Sequence, residues 1–110
     1  MQTRVLRSAG DGTTAVLSEV PSREINRGWV WVDISVESGD VSELDEIATS
    51  LRLDALAVRD AVADLDLAKV DDFGHHLLVV LHGLGSDRVE TYELDCFLTS
   101  THLVTVRTER

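Results

Sequence analysis

Cysteine, proline, methionine and aromatic residues are all scarce in this 110-residue chain, with one Cys, one Pro, one Met and aromatics at 5%. The single Cys96 excludes an internal disulfide, and its place in an apolar alternating segment reads as a reduced, buried thiol. Long apolar runs are missing as well. The longest, Leu77 to Leu81, has five residues, whereas a membrane-crossing helix needs roughly 20, so no direct membrane insertion is expected. Arg4 and Arg7 follow Met1 without an apolar stretch, which gives no secretory signal and points to the cytosol. Basic residues are outnumbered, 10 Lys+Arg against 20 Asp+Glu, for a formal net charge of −10. A nucleic-acid partner is thereby disfavoured, because affinity for phosphate rests on basic groups that displace counterions. Cations and basic protein surfaces are the partners such a charge attracts. The strong catalytic signatures are also absent: no Gly-rich phosphate loop ending in Lys-Ser/Thr, no nucleophile elbow, no His-Glu-x-x-His. The chain is not expected to be an enzyme.

What is present is enough apolar material, 44%, to fold residues 1–110 as one domain with its own core. Residues 4 to 7 and 14 to 20 flank Ala9-Gly10-Asp11-Gly12, the pattern of an N-terminal hairpin. Pro21 to Arg27 reads as a surface connection. Trp29 to Ile34 alternates, placing both Trp rings on one face and Val30, Val32 and Ile34 on the other, as in a central strand. A loop at Glu37 to Asp40 leads to a helix start, where Asp40 with Glu43, or Ser42 with Asp45, supplies a cap. Leu44, Ile47, Ala48 and Leu51 keep helical spacing. Asp54 then caps a second helix, whose stripe is Val58, Ala61, Val62 and Leu65 at i, i+3, i+4 and i+7. Leu77 to Leu84 is a continuous apolar run with β-branched members, read as a strand covered on both faces. Gly85 to Arg88 makes a turn, Val89 to Leu98 alternates, and Thr99-Ser100-Thr101 turns into His102 to Arg107. The last three strands form an antiparallel meander, and two helices set among strands give a mixed α/β or α+β fold: a largely antiparallel sheet with helices packed on it.

The acidic residues offer the best candidate site. Asp60 and Asp64 share the helix face opposite the apolar stripe, and like charges at i, i+4 repel by a few tenths of a kcal/mol unless a cation or basic group neutralises them. With Asp66, Asp71 and Asp72 they form an acidic cluster, and magnesium needs only one or two carboxylates plus retained water. His75 and His76 are adjacent and supply two ligands where zinc needs three or four, so exposed turn histidines are the expectation. Cys96 with His82 or His102 lacks an identifiable third group and reads as packing.

Four segments together resemble the cytosolic N-terminal domain of the CorA family of magnesium and cobalt channels. Trp31-Val32-Asp33-Ile34 is similar to that family's early W-[IV]-D-[LI] strand, and LDEIATSLRLDALAVRDAV, Leu44 to Val62, to its helix pair. Ala68 to Phe73 with LLVVLHGL, Leu77 to Leu84, and ELDCFLTSTHLVTVR, Glu93 to Arg107, follow in the family's order. The resemblance implies an α/β/α sandwich at the wide end of a funnel-shaped homopentamer, on the cytoplasmic side of the cell membrane. It implies that magnesium, or cobalt, bound between neighbouring domains holds the pore shut. Asp60 would be the carboxylate facing the next protomer, and the second carboxylate of that site would come from the stalk and membrane part. On this chain's own helix face, Asp64 is the next candidate after Asp60. Arg59 stands where the family often has an acid, and Leu67-Ala68-Lys69 where it has Arg-Pro-Lys. The stalk helix, two membrane helices and Gly-Met-Asn pore motif are not in this chain; in a full-length protein, the stalk and membrane regions would be the partners. Two other readings remain: the related zinc-transporting branch, for which His75 and His76 matter, and an acidic protein-interaction module without metal. A metal-dependent hydrolase is more distant.

Overall fold

Valine and isoleucine at every second position build the centre of the sheet. The computed structural model describes residues 2–21, 27–37, 42–63, 67–84 and 91–109. Its elements run β1 (Gln2–Ser8), β2 (Thr14–Leu17), β3 (Trp29–Glu37), α1 (Ser42–Ser50), α2 (Ala55–Ala63), β4 (Lys69–Asp72), β5 (Leu77–Leu84), β6 (Thr91–Leu98) and β7 (His102–Glu109). The seven strands form one sheet in the order β2-β1-β3-β7-β6-β5-β4. Only β3 and β7 pair in parallel; the other five pairings are antiparallel. The expected hairpin, helix pair and terminal meander are all there. The proposed caps at Asp40, the Gly85 to Arg88 turn and most of the Pro21 to Arg27 connection lie outside the described residues.

One face of the sheet makes the core. Val30, Val32, Ile34 and Val36 of β3 point there, and the register sets Val104 beside Val32 and Val106 beside Ile34. Phe97 lies beside Val104, and Leu78 beside Phe97, continuing the face outward to β5. Onto it fold α1, through Leu44, Ile47, Ala48 and Leu51, and α2, through Ala57, Val58 and Ala61. Each fully buried aliphatic or aromatic side chain of this kind contributes about 1.5–3 kcal/mol, so the helices are held chiefly by this shared apolar layer and little by intrinsic helix propensity.

The opposite face is different. Leu77 and Leu81 of β5 are 36% and 48% exposed, and Trp29 and Leu98 also stand partly in solvent. Among the described residues, nothing covers it, which corrects the expectation that β5 is covered on both sides. An apolar run in sequence says that both faces avoid water; it does not say which piece of chain covers each. In the middle of this face, a polar chain ties the parallel pair together. Trp31 Nε1–H donates to Thr105 Oγ1 at 2.9 Å, and the Thr105 hydroxyl donates to Asp33 Oδ1 at 2.8 Å. Arg107 completes it with an ion pair to Asp33 Oδ2 at 3.0 Å.

Where β3 begins, the chain passes so close to the end of β1 that no side chain fits. Gly28 has φ +78°, and a Cβ there would lie 1.7 Å from the Ser8 carbonyl oxygen. Gly28→Ala is therefore expected to cost about 3 kcal/mol, by forcing backbone apart at a left-handed position, measured as a lower urea midpoint; an unchanged midpoint would show that the β1–β3 approach is slack. Thr105→Val should cost about 1–2 kcal/mol, because it leaves the Trp31 N–H and an Asp33 lone pair without their partner. Urea unfolding followed by tryptophan emission checks it, and wild-type stability would mean the polar chain adds nothing.

Candidate functional site

The helix pair carrying the acidic residues owes its geometry to a sharp corner. At the end of α1, Leu53 N–H reaches back to Ala48 O at 2.9 Å and Arg52 N–H to Thr49 O at 3.2 Å. These two bonds form a Schellman motif, with Arg52 in the left-handed conformation at φ 59°. Glycine usually takes that place; an exposed Arg holds it here at a cost of about 1–2 kcal/mol. Asp54 then caps α2 as expected, its Oδ1 accepting from Leu56 N–H at 2.9 Å.

The β4–β5 turn packs against this corner. Phe73 N–H donates to His76 O at 3.0 Å, and Gly74 N–H to Asp72 Oδ1 at 2.8 Å. His75 Nε2 contacts the Arg52 carbonyl, and His76 Nε2 accepts from Asp54 N–H at 2.9 Å. His75 is exposed, as expected, but His76 is only 3% exposed, stacked on Phe73 with centroids 5.0 Å apart and near Phe97. The expectation of two exposed turn histidines is corrected at His76. The apolar residues that bury it, Phe73 and Phe97, are adjacent only in the folded sheet. Each ring thus has its Nε2 engaged with the backbone of the corner.

The acidic cluster does not gather as one site among the described residues. Asp72 is taken up by the turn, and Asp71 pairs with Lys69 at 3.0 Å on the same strand. Asp60 lies in α2, four residues and so about one turn after Leu56, which is 65% exposed. The Asp60 side chain, and Asp64 and Asp66 entirely, lie outside the described residues. Arg59 is exposed and lines, with Asp45, Ala48, Leu53 and Val58, a groove of about 360 Å³ between α1 and α2. Among the described residues, no three His, Cys, Asp or Glu side chains are grouped to hold a metal ion.

Cys96 is not brought together with His82 or His102 as a nucleophile and base. Cys96 pairs with Thr105 on the partly open face, while His82, beside Glu93, and His102, beside Val30, belong to the core face, so period-two geometry separates them. Burial, and then the neighbouring Asp95, push the Cys96 thiol up from its ordinary value, the wrong direction for a nucleophile. His102 is buried and structural, with its ring nitrogens at 2.7 Å from Thr101 Oγ1 and 2.6 Å from Pro21 O.

The polar chain Trp31–Thr105–Asp33–Arg107 was not foreseen in the sequence. Its parts, W-V-D and T-V-R, were both legible as alternating strands; their pairing across more than 70 residues was not.

Comparison with known proteins fits this architecture. The whole chain superposes on the complete CorA magnesium transporter of Methanocaldococcus jannaschii with a TM-score of 0.75 at 12% identity, covering 100% of this chain and 33% of that one. The soluble domain of the same organism's CorA matches with TM-score 0.75 and 13% identity, over 99% of this chain and 41% of the other. The cytoplasmic domain of ZntB from Vibrio parahaemolyticus matches at TM-score 0.67 and 11% identity, over 97% and 44%. This chain thus spans less than half the length of each. No curated protein sequence matches it. No described helix is long and apolar enough to cross a membrane. The family model described as CorA-like Mg2+ transporter protein matches residues 26–110, and the chain belongs to that family of transporters.

Proposed function

We propose that this chain is the cytosolic ion-sensing domain of a CorA-like magnesium and cobalt channel, regulating the passage of divalent cations at the cytoplasmic side of the cell membrane. The match of residues 26–110 to the transporter family carries the reading. The described residues contain no membrane-crossing helix, so conduction is assigned to other parts of a longer protein and control to this one. As part of a transporter family, the domain would act by binding.

The open sheet face is where the stalk and membrane regions would dock, since Leu77, Leu81 and Leu98 are apolar side chains left in water by the described residues. Control would work through α2. Its core side is fixed by Ala57, Val58 and Ala61, so the helix is a rigid carrier for Asp60, with Asp64 just beyond its end. A hydrated Mg2+, which needs one or two carboxylates, suits a site shared between acidic copies in a homopentamer. The ion lowers the repulsion between chains that each carry a formal −10, and its binding energy then favours the closed assembly. His75 and His76, the residues of interest for the zinc-transporting branch, each engage the backbone of the α1–α2 corner through Nε2.

Magnesium at millimolar concentration should shift the amide signals of α2 around Asp60 in this chain, and Asp60→Ala should remove most of that shift while leaving the fold intact. Shifts of the same size in Asp60→Ala, or none in either protein, would instead favour an acidic interaction module that binds a basic partner and no metal.

A further inference from the structure

We infer that His75 and His76 form an acid-sensitive latch that fastens the α1–α2 corner to the β4–β5 turn. The geometry is that of a two-point clamp. Two consecutive residues of one tight turn reach two backbone groups of one corner, the Arg52 carbonyl and the Asp54 N–H. The two points respond to protons in opposite ways. A carbonyl only accepts, so His75 donates from Nε2, and it donates equally well when the ring is charged. His76 accepts at Nε2, and an added proton occupies the lone pair that holds Asp54. Protonation therefore opens one half of the clamp and leaves the other.

The surroundings of His76 decide how readily it charges. Its ring is held down first by burial and second by the nearby His75; the Leu77 backbone and the Asp54 carboxylate act the other way. Asp54 is already bonded to Leu56 N–H, and Asp72 to Gly74 N–H, so neither carboxylate is free to turn fully to the ring. Arg52 offers only its carbonyl to this turn in the contacts described, and β6 contributes the uncharged Phe97. A neutral His76 is thus the form the fold prefers. Its contribution to stability is complete above the ordinary histidine range and is lost as pH falls through the lowered folded value.

What opens is the start of α2. Asp54 is its cap, and Arg52 just before it is in the left-handed conformation, so the corner has a strained backbone with one fastening fewer. Since α2 also carries Asp60, acidity would loosen the helix on which the proposed cation site stands. The latch itself is independent of that reading, and its test uses no cation.

Two-dimensional NMR of the chain across a pH titration gives that test. The Asp54 amide should change with the same midpoint as the His76 ring, below the ordinary histidine value. Its hydrogen-exchange protection should fall about tenfold for each pH unit of that difference. In His76→Gln, whose Oε1 can still accept from Asp54 but does not titrate, the neutral-pH protection should persist and the acid step should vanish. An Asp54 amide that is indifferent to the titration of His76 in the unmodified chain overturns the proposal, even if the variant does not fold. So does an unchanged acid step in His76→Gln.

Discussion

The parallel pairing of β3 with β7 is the constraint on which the rest of this molecule depends. It joins the N-terminal hairpin with β3 to the C-terminal meander, two blocks that the chain itself links through the helices. The pairing brings together residues more than 70 positions apart, so its chain-closure cost is met only when the apolar face forms as a whole. Val32 beside Val104 and Ile34 beside Val106, all fully buried, supply that face, and the Trp31–Thr105–Asp33–Arg107 chain fixes the register from the other side. A shift by one residue would send the valines to the open face and the polar chain into the core. Everything inserted between the two strands, including both helices, is placed by that register.

Much of this was written in local periodicities. The alternation of Trp29 to Ile34, the helical spacing of Leu44, Ile47, Ala48 and Leu51, and the capping role of Asp54 could all be read directly, because each depends on neighbours within one turn or one strand. The corner at Arg52 was not legible, since a non-glycine residue in the left-handed conformation carries no local signal and is imposed by the packing of Leu51 and Leu53 on either side. The burial of His76 was missed for a related reason. Beside Gly74 and Asp72 it has the look of a turn residue, and only the fold brings Phe97 against it. The uncovered face of β5 escaped notice because Leu77 and Leu81 look the same in sequence whichever chain segment shields them. Asp60 lies within α2, the helix its spacing predicts, whose apolar side is turned inward, while its side chain lies outside the described residues.

Taken together, the structure is a sheet with two unlike sides. One is finished: two helices, a shared apolar layer, a Schellman corner and a histidine clamp. The other offers apolar side chains around a fixed polar centre. Such an arrangement suits a domain that passes a signal from charged helices on one surface to whatever packs on the other, and it agrees with membership in a transporter family whose solved chains are more than twice as long as this one. In the proposed reading the acidity of the chain supplies the physics: copies bearing this charge would repel one another, and a divalent ion held between them would offset that repulsion.

Sedimentation velocity at constant ionic strength, with magnesium exchanged for sodium, tests that idea most directly. The account predicts that the chain sediments faster in magnesium, as copies associate through a shared ion, and that the change exceeds what sodium produces at equal screening. Identical sedimentation in the two salts would contradict it.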